Sequence, residues 1–132
     1  MKNKIILADT SILIDYVRKQ KKDKTKFYQL NEANDVAISV ITEYEFLIGR
    51  TSSNTDFLDV LMTKVQILTL DSAITQIAVA AYRELRKRNA LIGTNDVFIA
   101  ATALRYGIPL ATLNHRHFTR LEKEFGLQII SH

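Results

Sequence analysis

A chain of 132 residues, 47% hydrophobic and 24% charged with four Gly and one Pro, is long enough to bury one core and lacks the composition of disorder or low complexity. It has no Cys, which excludes a disulfide framework, a thiolate metal site and a thiol nucleophile, so any bound metal must be held by oxygen or histidine. The net charge of +4 favours a polyanionic partner such as nucleic acid. The opening apolar run is too short for a signal-peptide core, and no run approaches the roughly 20 apolar residues that cross a bilayer; a single cytoplasmic domain over residues 1–132, with no membrane association, is expected.

Residues 4–8 (KIILA) form a short, partly β-branched apolar run that ends at Asp9, as in a strand buried on both faces. Ser11 is placed to cap a helix through SILIDYVRK, and the lysine-rich run 18–26 (RKQKKDKTK) reads as a solvated loop or helix end before a polar-apolar segment at 27–33. A second strand is predicted at 36–39 (VAIS) and a helix at 41–50 (ITEYEFLIGR), stopped near Gly49. A Thr/Ser/Asn linker, a helical turn at 57–62, a strand at 65–70 (VQILTL) and a long helix at 71–90, opened by Asp71 or Ser72 and ended before Gly93, follow. Residues 94–106 (TNDVFIAATALRY) read as a helix apolar almost all round and closed by Gly107; strands at 109–113 and 127–130 complete the chain. Strands alternating with helices predict an α/β fold, a central and mostly parallel five-stranded sheet flanked by helices in three layers.

In such a sheet, ligands bind beyond the carboxyl ends of the strands. Asp9 ends the first strand there, and Thr112 and Asn114 end the fourth. The helix from Thr94 must run back against the sheet, which puts Asp96 on the same edge, facing inward with Ile99, Ala100 and Ala103. Glu45 lies in the first turns of the helix after the second strand, on the rim of a face made by Ile41, Tyr44 and Ile48, with Glu43 pointing away. Three carboxylates on one edge repel unless a cation or a raised pKa relieves them. Oxygen-only ligands suit Mg²⁺, with Mn²⁺ as a substitute, held by a few carboxylates, water and a substrate phosphate.

Each acid also has a plain structural reading: Asp9 with Thr10 and Ser11 as a capping cluster, Asp96 as a helix-dipole partner, Glu45 as a rim carboxylate. Their joint arrival at one edge favours one site. Asp15 falls on a solvated helix face. His115 and His117 flank Arg116 in what reads as a loop, and His132 is uninformative. Arg83, Arg86, Lys87 and Arg88 make a basic ridge upstream of Asp96, suited to phosphate contacts independent of sequence.

The motifs DTSILID (9–15), ISVITEYEFLIG (38–49), IGTNDVFIAATAL (92–104) and LATLNHRHF (110–118) together resemble the PIN domains, and within them the VapC-type toxins of bacterial and archaeal toxin–antitoxin pairs. The resemblance covers the whole chain and implies a PIN-like fold, Mg²⁺-dependent cleavage of RNA, a homodimer and a cognate antitoxin that blocks or distorts the acidic pocket. It assigns Asp9, Glu45 and Asp96 as metal-binding and catalytic acids, with Thr10, Ser11, Thr112 and Asn114 as supporting polar groups; Arg86, Lys87, Arg88 and Arg116 are candidate RNA contacts. Asn114 stands where many members carry a fourth acid, and His117 where some carry another, which favours one metal ion at rest. The rival readings are a phosphohydrolase, which wants a second Asp where Ser11 stands, and a non-catalytic module that binds RNA or protein.

Overall fold

A computed structural model describes residues 4–130; Met1 to Asn3, Ser131 and His132 lie outside the described residues. The elements run β1 (Ile5–Ala8), α1 (Thr10–Arg18), a 3-10 turn (Lys22–Lys24), α2 (Lys26–Ala33), β2 (Asp35–Ser39), α3 (Val40–Leu47), α4 (Thr55–Thr63), β3 (Gln66–Leu68), α5 (Ser72–Lys87), α6 (Thr94–Tyr106), β4 (Leu110–Ala111), α7 (His115–Phe125) and β5 (Ile129–Ile130). The sheet order is β3-β2-β1-β4-β5, and every pairing is parallel.

Alternate strand residues feed two cores. Leu7, Ala37, Leu68 and Leu110 face α5, α6 and α7, whereas Ile6, Ala8, Val36, Ile38 and Ala111 face α1, α2 and α4, joined by Phe46 of α3. This two-sided burial explains why the strands read as continuous apolar runs rather than alternating ones. The register pairs Ala8 with Ala111 and Leu7 with Ala37, so Asp9, Thr112 and Ser39 follow at neighbouring strand ends. Crossover helices return the chain each time, which gathers these ends on one edge.

Several expectations shift in detail. Asp9, not Ser11, caps α1, its carboxylate accepting from the Ile12 N–H at 3.3 Å. The face of α3 turned inward carries Thr42 and Phe46 beside Glu45, while Tyr44 and Ile48 are 63% and 67% exposed. The strand-to-helix turn at Ser39, whose hydroxyl accepts from Ile41 N–H at 3.0 Å, fixes that rotation, and it overrides the apolar spacing. α5 stops at Lys87 because Asn89 takes a left-handed φ of 54° and Ala90 N–H folds back to Leu85 O at 2.8 Å.

The lysine-rich run is only partly solvated. Lys22 closes the end of α1, its Nζ donating to Tyr16 O at 2.6 Å and Val17 O at 2.9 Å above the Tyr16 and Phe57 rings. The segment after β4 is α7 rather than a loop, so His115 and His117 stand on a helix. Its apolar stripe is narrow, with Phe118, Leu121 and Phe125 at helical spacing behind a basic head. Phe118 is wholly buried against the α5–α6 layer. Phe118→Ala is expected to lower unfolding free energy by about 3–5 kcal/mol in urea titrations; a smaller loss would mean that α7 is not docked as described.

Candidate active site

The register of β1 and β4 makes the centre of the site. Asp9 N–H donates to Ala111 O at 3.0 Å, which sets its side chain beside that of Thr112. The Asp9 carboxylate, 2% exposed, accepts the Ser11 hydroxyl on Oδ1 and the Thr112 hydroxyl on Oδ2, both at 2.5 Å. Those two hydroxyls in turn accept the Leu113 N–H at 3.0 Å and the Asn114 N–H at 2.9 Å. The strand end and the start of the next helix are thus tied through one carboxylate.

Asp96, in the first turn of α6, carries the only acid of that turn, on a helix whose cap residue Gly93 offers no side-chain hydrogen bond. Its charge is close enough to act on Asp9. His117 Nδ1 stands 3.3 Å from Asp96 Oδ2, and in the tautomer that carries its proton on Nδ1 the ring donates to that carboxylate. His117 therefore holds Asp96, a role its motif position did not disclose.

Glu45 is fixed from both sides. Thr10 Oγ1 donates to Glu45 Oε1 at 2.6 Å, and Asn95 Nδ2 reaches Glu45 Oε2 at 3.4 Å. With the Thr10 proton committed to Glu45, Thr42 is the donor in the 3.1 Å contact between the two threonine hydroxyls. Thr42 and Asn95 had no signal in the sequence beyond lying next to motif residues. The neighbours of Asp9 and Asp96 in the chain thus hold Glu45 between them, while Asn114, although the residue before α7, makes no side-chain cap bond.

Among the described residues, no three carboxylate or imidazole groups close into a single ligand set. That arrangement still fits Mg²⁺, which is held by one or two carboxylates together with water and substrate phosphate rather than by a full protein cage. The donors at the edge are all hard oxygens, apart from imidazole.

The candidate basic residues differ in place and in freedom. Arg86 and Lys87 are exposed in the last turn of α5, whereas Arg88 is engaged by Glu84 at 3.0 Å. Arg116 is exposed on α7 and lines a cleft of about 320 Å³ with Leu113, Asn114, His115 and His117. Asp15 is not solvated as expected; it is paired with Lys19 at 3.1 Å, with 17% of its side chain exposed.

Burial pushes the Asp9 carboxyl above its ordinary value of 3.8; the Ser11 and Thr112 hydroxyls and the Ile12 N–H oppose the rise by stabilising the anion, and the Asp96 charge adds to it. Above 3.8 the folded protein therefore holds a proton that the unfolded chain releases, and stability falls as pH rises from there through the raised folded value. In EDTA, Asp9→Asn is expected to remove this component, so its Tm relative to the wild type should climb with pH across that window. A Tm difference flat with pH would contradict the assignment.

The chain matches the model of the PIN domain over residues 6–124, a span that includes all three acids and Asn114. It is 40% identical to Ribonuclease VapC1 of Methanocaldococcus jannaschii over 125 residues, covering 94% of this chain and 85% of the relative. Among solved structures, DNA-bound VapBC from Salmonella typhimurium superposes with a TM-score of 0.82 at 22% identity, over 98% of each chain, a likeness of fold. A toxin–antitoxin complex from Klebsiella pneumoniae superposes with a TM-score of 0.70 at 26% identity, over 86% of this chain and 89% of that one. The parallel sheet, the acids at its carboxyl edge and these matches together place the chain in the PIN-domain family, in its VapC group.

Proposed function

We propose that the protein is a Mg²⁺-dependent endoribonuclease acting as the toxin of a toxin–antitoxin pair. The observation that carries this reading is the Asp9 carboxylate: 2% exposed, facing the like charge of Asp96, and with no Lys or Arg within ion-pair distance among the described residues. A buried anion without a protein cation is a poor structural device and a good cation ligand. A Mg²⁺ ion bound by Asp9 and Asp96 supplies neutralisation of phosphate charge and a more acidic water for attack. Mn²⁺ is expected to replace it.

The chain's own residues do the rest. Ser11 and Thr112 fix both Asp9 oxygens, and His117 fixes one Asp96 oxygen, so the acids lose no rotamer freedom when RNA arrives. Glu45, pinned by Thr10, is oriented to accept a proton from the attacking water. Asn114 supplies a neutral amide in place of a further charge. Arg116, exposed on α7 in the cleft with Asn114 and His117, is placed to meet the RNA backbone, and Arg86 and Lys87 are exposed cations farther along α5.

The partners are proposals on separate surfaces. A groove lined by Thr10, Ile14, Glu45, Phe46, Ile48 and Leu58 shares two residues with the site and is where an antitoxin segment would block it. An apolar cleft of about 440 Å³ between α5 and α6, with Val79, Tyr82 and Leu91 40–52% exposed, supports a homodimer. Tyr82→Glu is expected to shift the protein to a monomer in light scattering; an unchanged mass would place the dimer elsewhere.

The decisive test compares RNA cleavage by wild type and Asp96→Asn in Mg²⁺, Mn²⁺ and EDTA. The expected result is cleavage that needs the metal and drops by about 100-fold or more in the variant. Cleavage indifferent to both would sink the mechanism, and RNA binding without cleavage would favour a binding module.

A further inference from the structure

A second cleft, of about 410 Å³, is lined by Asp15, Lys19, Lys24, Lys26, Gln29 and Leu113. Leu113 also lines the cleft that holds Asn114, Arg116 and His117, and His117 touches Asp96. The two clefts therefore adjoin at one residue, whose N–H is bound by the Ser11 hydroxyl beside Asp9. Asp15 is the single acid in the lysine cleft, and Lys19 already neutralises it at 3.1 Å. Neither Lys24 nor Lys26 has a carboxylate within ion-pair distance among the described residues.

The turn that carries these lysines is not a floppy loop. Lys22 is anchored to the end of α1 through Tyr16 O and Val17 O. Thr25, 1% exposed, donates to Lys22 O at 2.6 Å and caps α2 by accepting the Tyr28 N–H at 3.3 Å. Lys24 and Lys26 flank that buried threonine, so their backbones are held in place before any ligand binds. Lys26 is half-buried, and burial lowers its ammonium below the ordinary value of 10.5, so an anionic partner there restores what desolvation takes away.

We propose that Lys24 and Lys26 form a phosphate-binding subsite for single-stranded RNA, from which the strand crosses Leu113 to reach the acids at Asp9 and Asp96. This rests on the ribonuclease reading and adds the path of the substrate's flank. Contacts of this kind are made to backbone phosphates and confer affinity without reading bases. Lys4 and Lys64 are exposed cations just before β1 and β3, on the opposite edge of the sheet, and are outside this path.

The test measures binding of a short, mixed-sequence single-stranded RNA in EDTA as a function of salt. Relative to wild type, Lys24→Gln with Lys26→Gln is expected to weaken binding and to reduce the slope of log K against log salt by about 1.4, since each phosphate contact to a single strand contributes about 0.7. Lys24→Arg with Lys26→Arg should keep both affinity and slope, and Lys4→Gln with Lys64→Gln should leave them unchanged despite the same loss of charge. A glutamine pair that melts with the wild type yet keeps the full slope overturns the subsite while leaving metal-dependent cleavage intact. An equal loss in the Lys4 and Lys64 pair also overturns it, by showing an effect of net charge alone. Retained RNA affinity with lost binding to polyglutamate would reassign the lysines to an acidic protein segment, and a wild type that neither binds nor cleaves RNA would fail the ribonuclease reading as well.

Discussion

The Asp9 carboxylate and the two hydroxyls that hold it are the constraint around which the edge of the sheet is organised. Burying an anion is unfavourable unless its lone pairs are satisfied, and here Ser11 and Thr112 donate to both oxygens. The same hydroxyls accept the next two backbone N–H groups of the chain, Leu113 and Asn114, so the path out of β4 is determined by where Asp9 sits. That path starts α7, and α7 brings His117 to Asp96. Shifting β4 by one residue would replace Thr112 with a neighbour of the wrong chemistry and undo the whole sequence of contacts.

Unevenness among the acids follows from this construction. Asp9 is locked on both oxygens, Asp96 on one by an imidazole, and Glu45 through a threonine and a longer amide contact. A buried, locked carboxylate and a half-exposed one beside it suit an ion that retains water on its open side. Glu45, on the inward stripe of α3 with Thr42, stands at the margin of that pair rather than as an equal third.

Much of this was legible in the residues. Apolar runs buried on both faces announced a parallel sheet, and the direction of the strands and of the returning helix was enough to make Asp9, Asp96 and Thr112 neighbours at one edge. What the pattern concealed was rotation and contact. Apolar spacing pointed Tyr44 and Ile48 inward, but the Ser39 turn sets the phase of α3 and leaves them exposed. The three apolar residues of α7 were masked by its basic head, so the link between His117 and Asp96 was out of reach without the fold. The lysine-rich run concealed its anchors because the partners of Lys22 are backbone carbonyls, which no side-chain pattern records.

The pairing of β1 with β4 also sets the order in which the site is assembled. Thr112 meets Asp9 across 103 residues of chain, and β4 inserts between β1 and β5 rather than adding at an outer edge. A nascent polypeptide therefore carries its first acid for most of its synthesis without the hydroxyl that orients it. The hydrogen bonds that orient Asp9 are complete only once residue 112 has emerged and β4 has inserted, so the topology of the sheet makes its central carboxylate one of the last groups to be set.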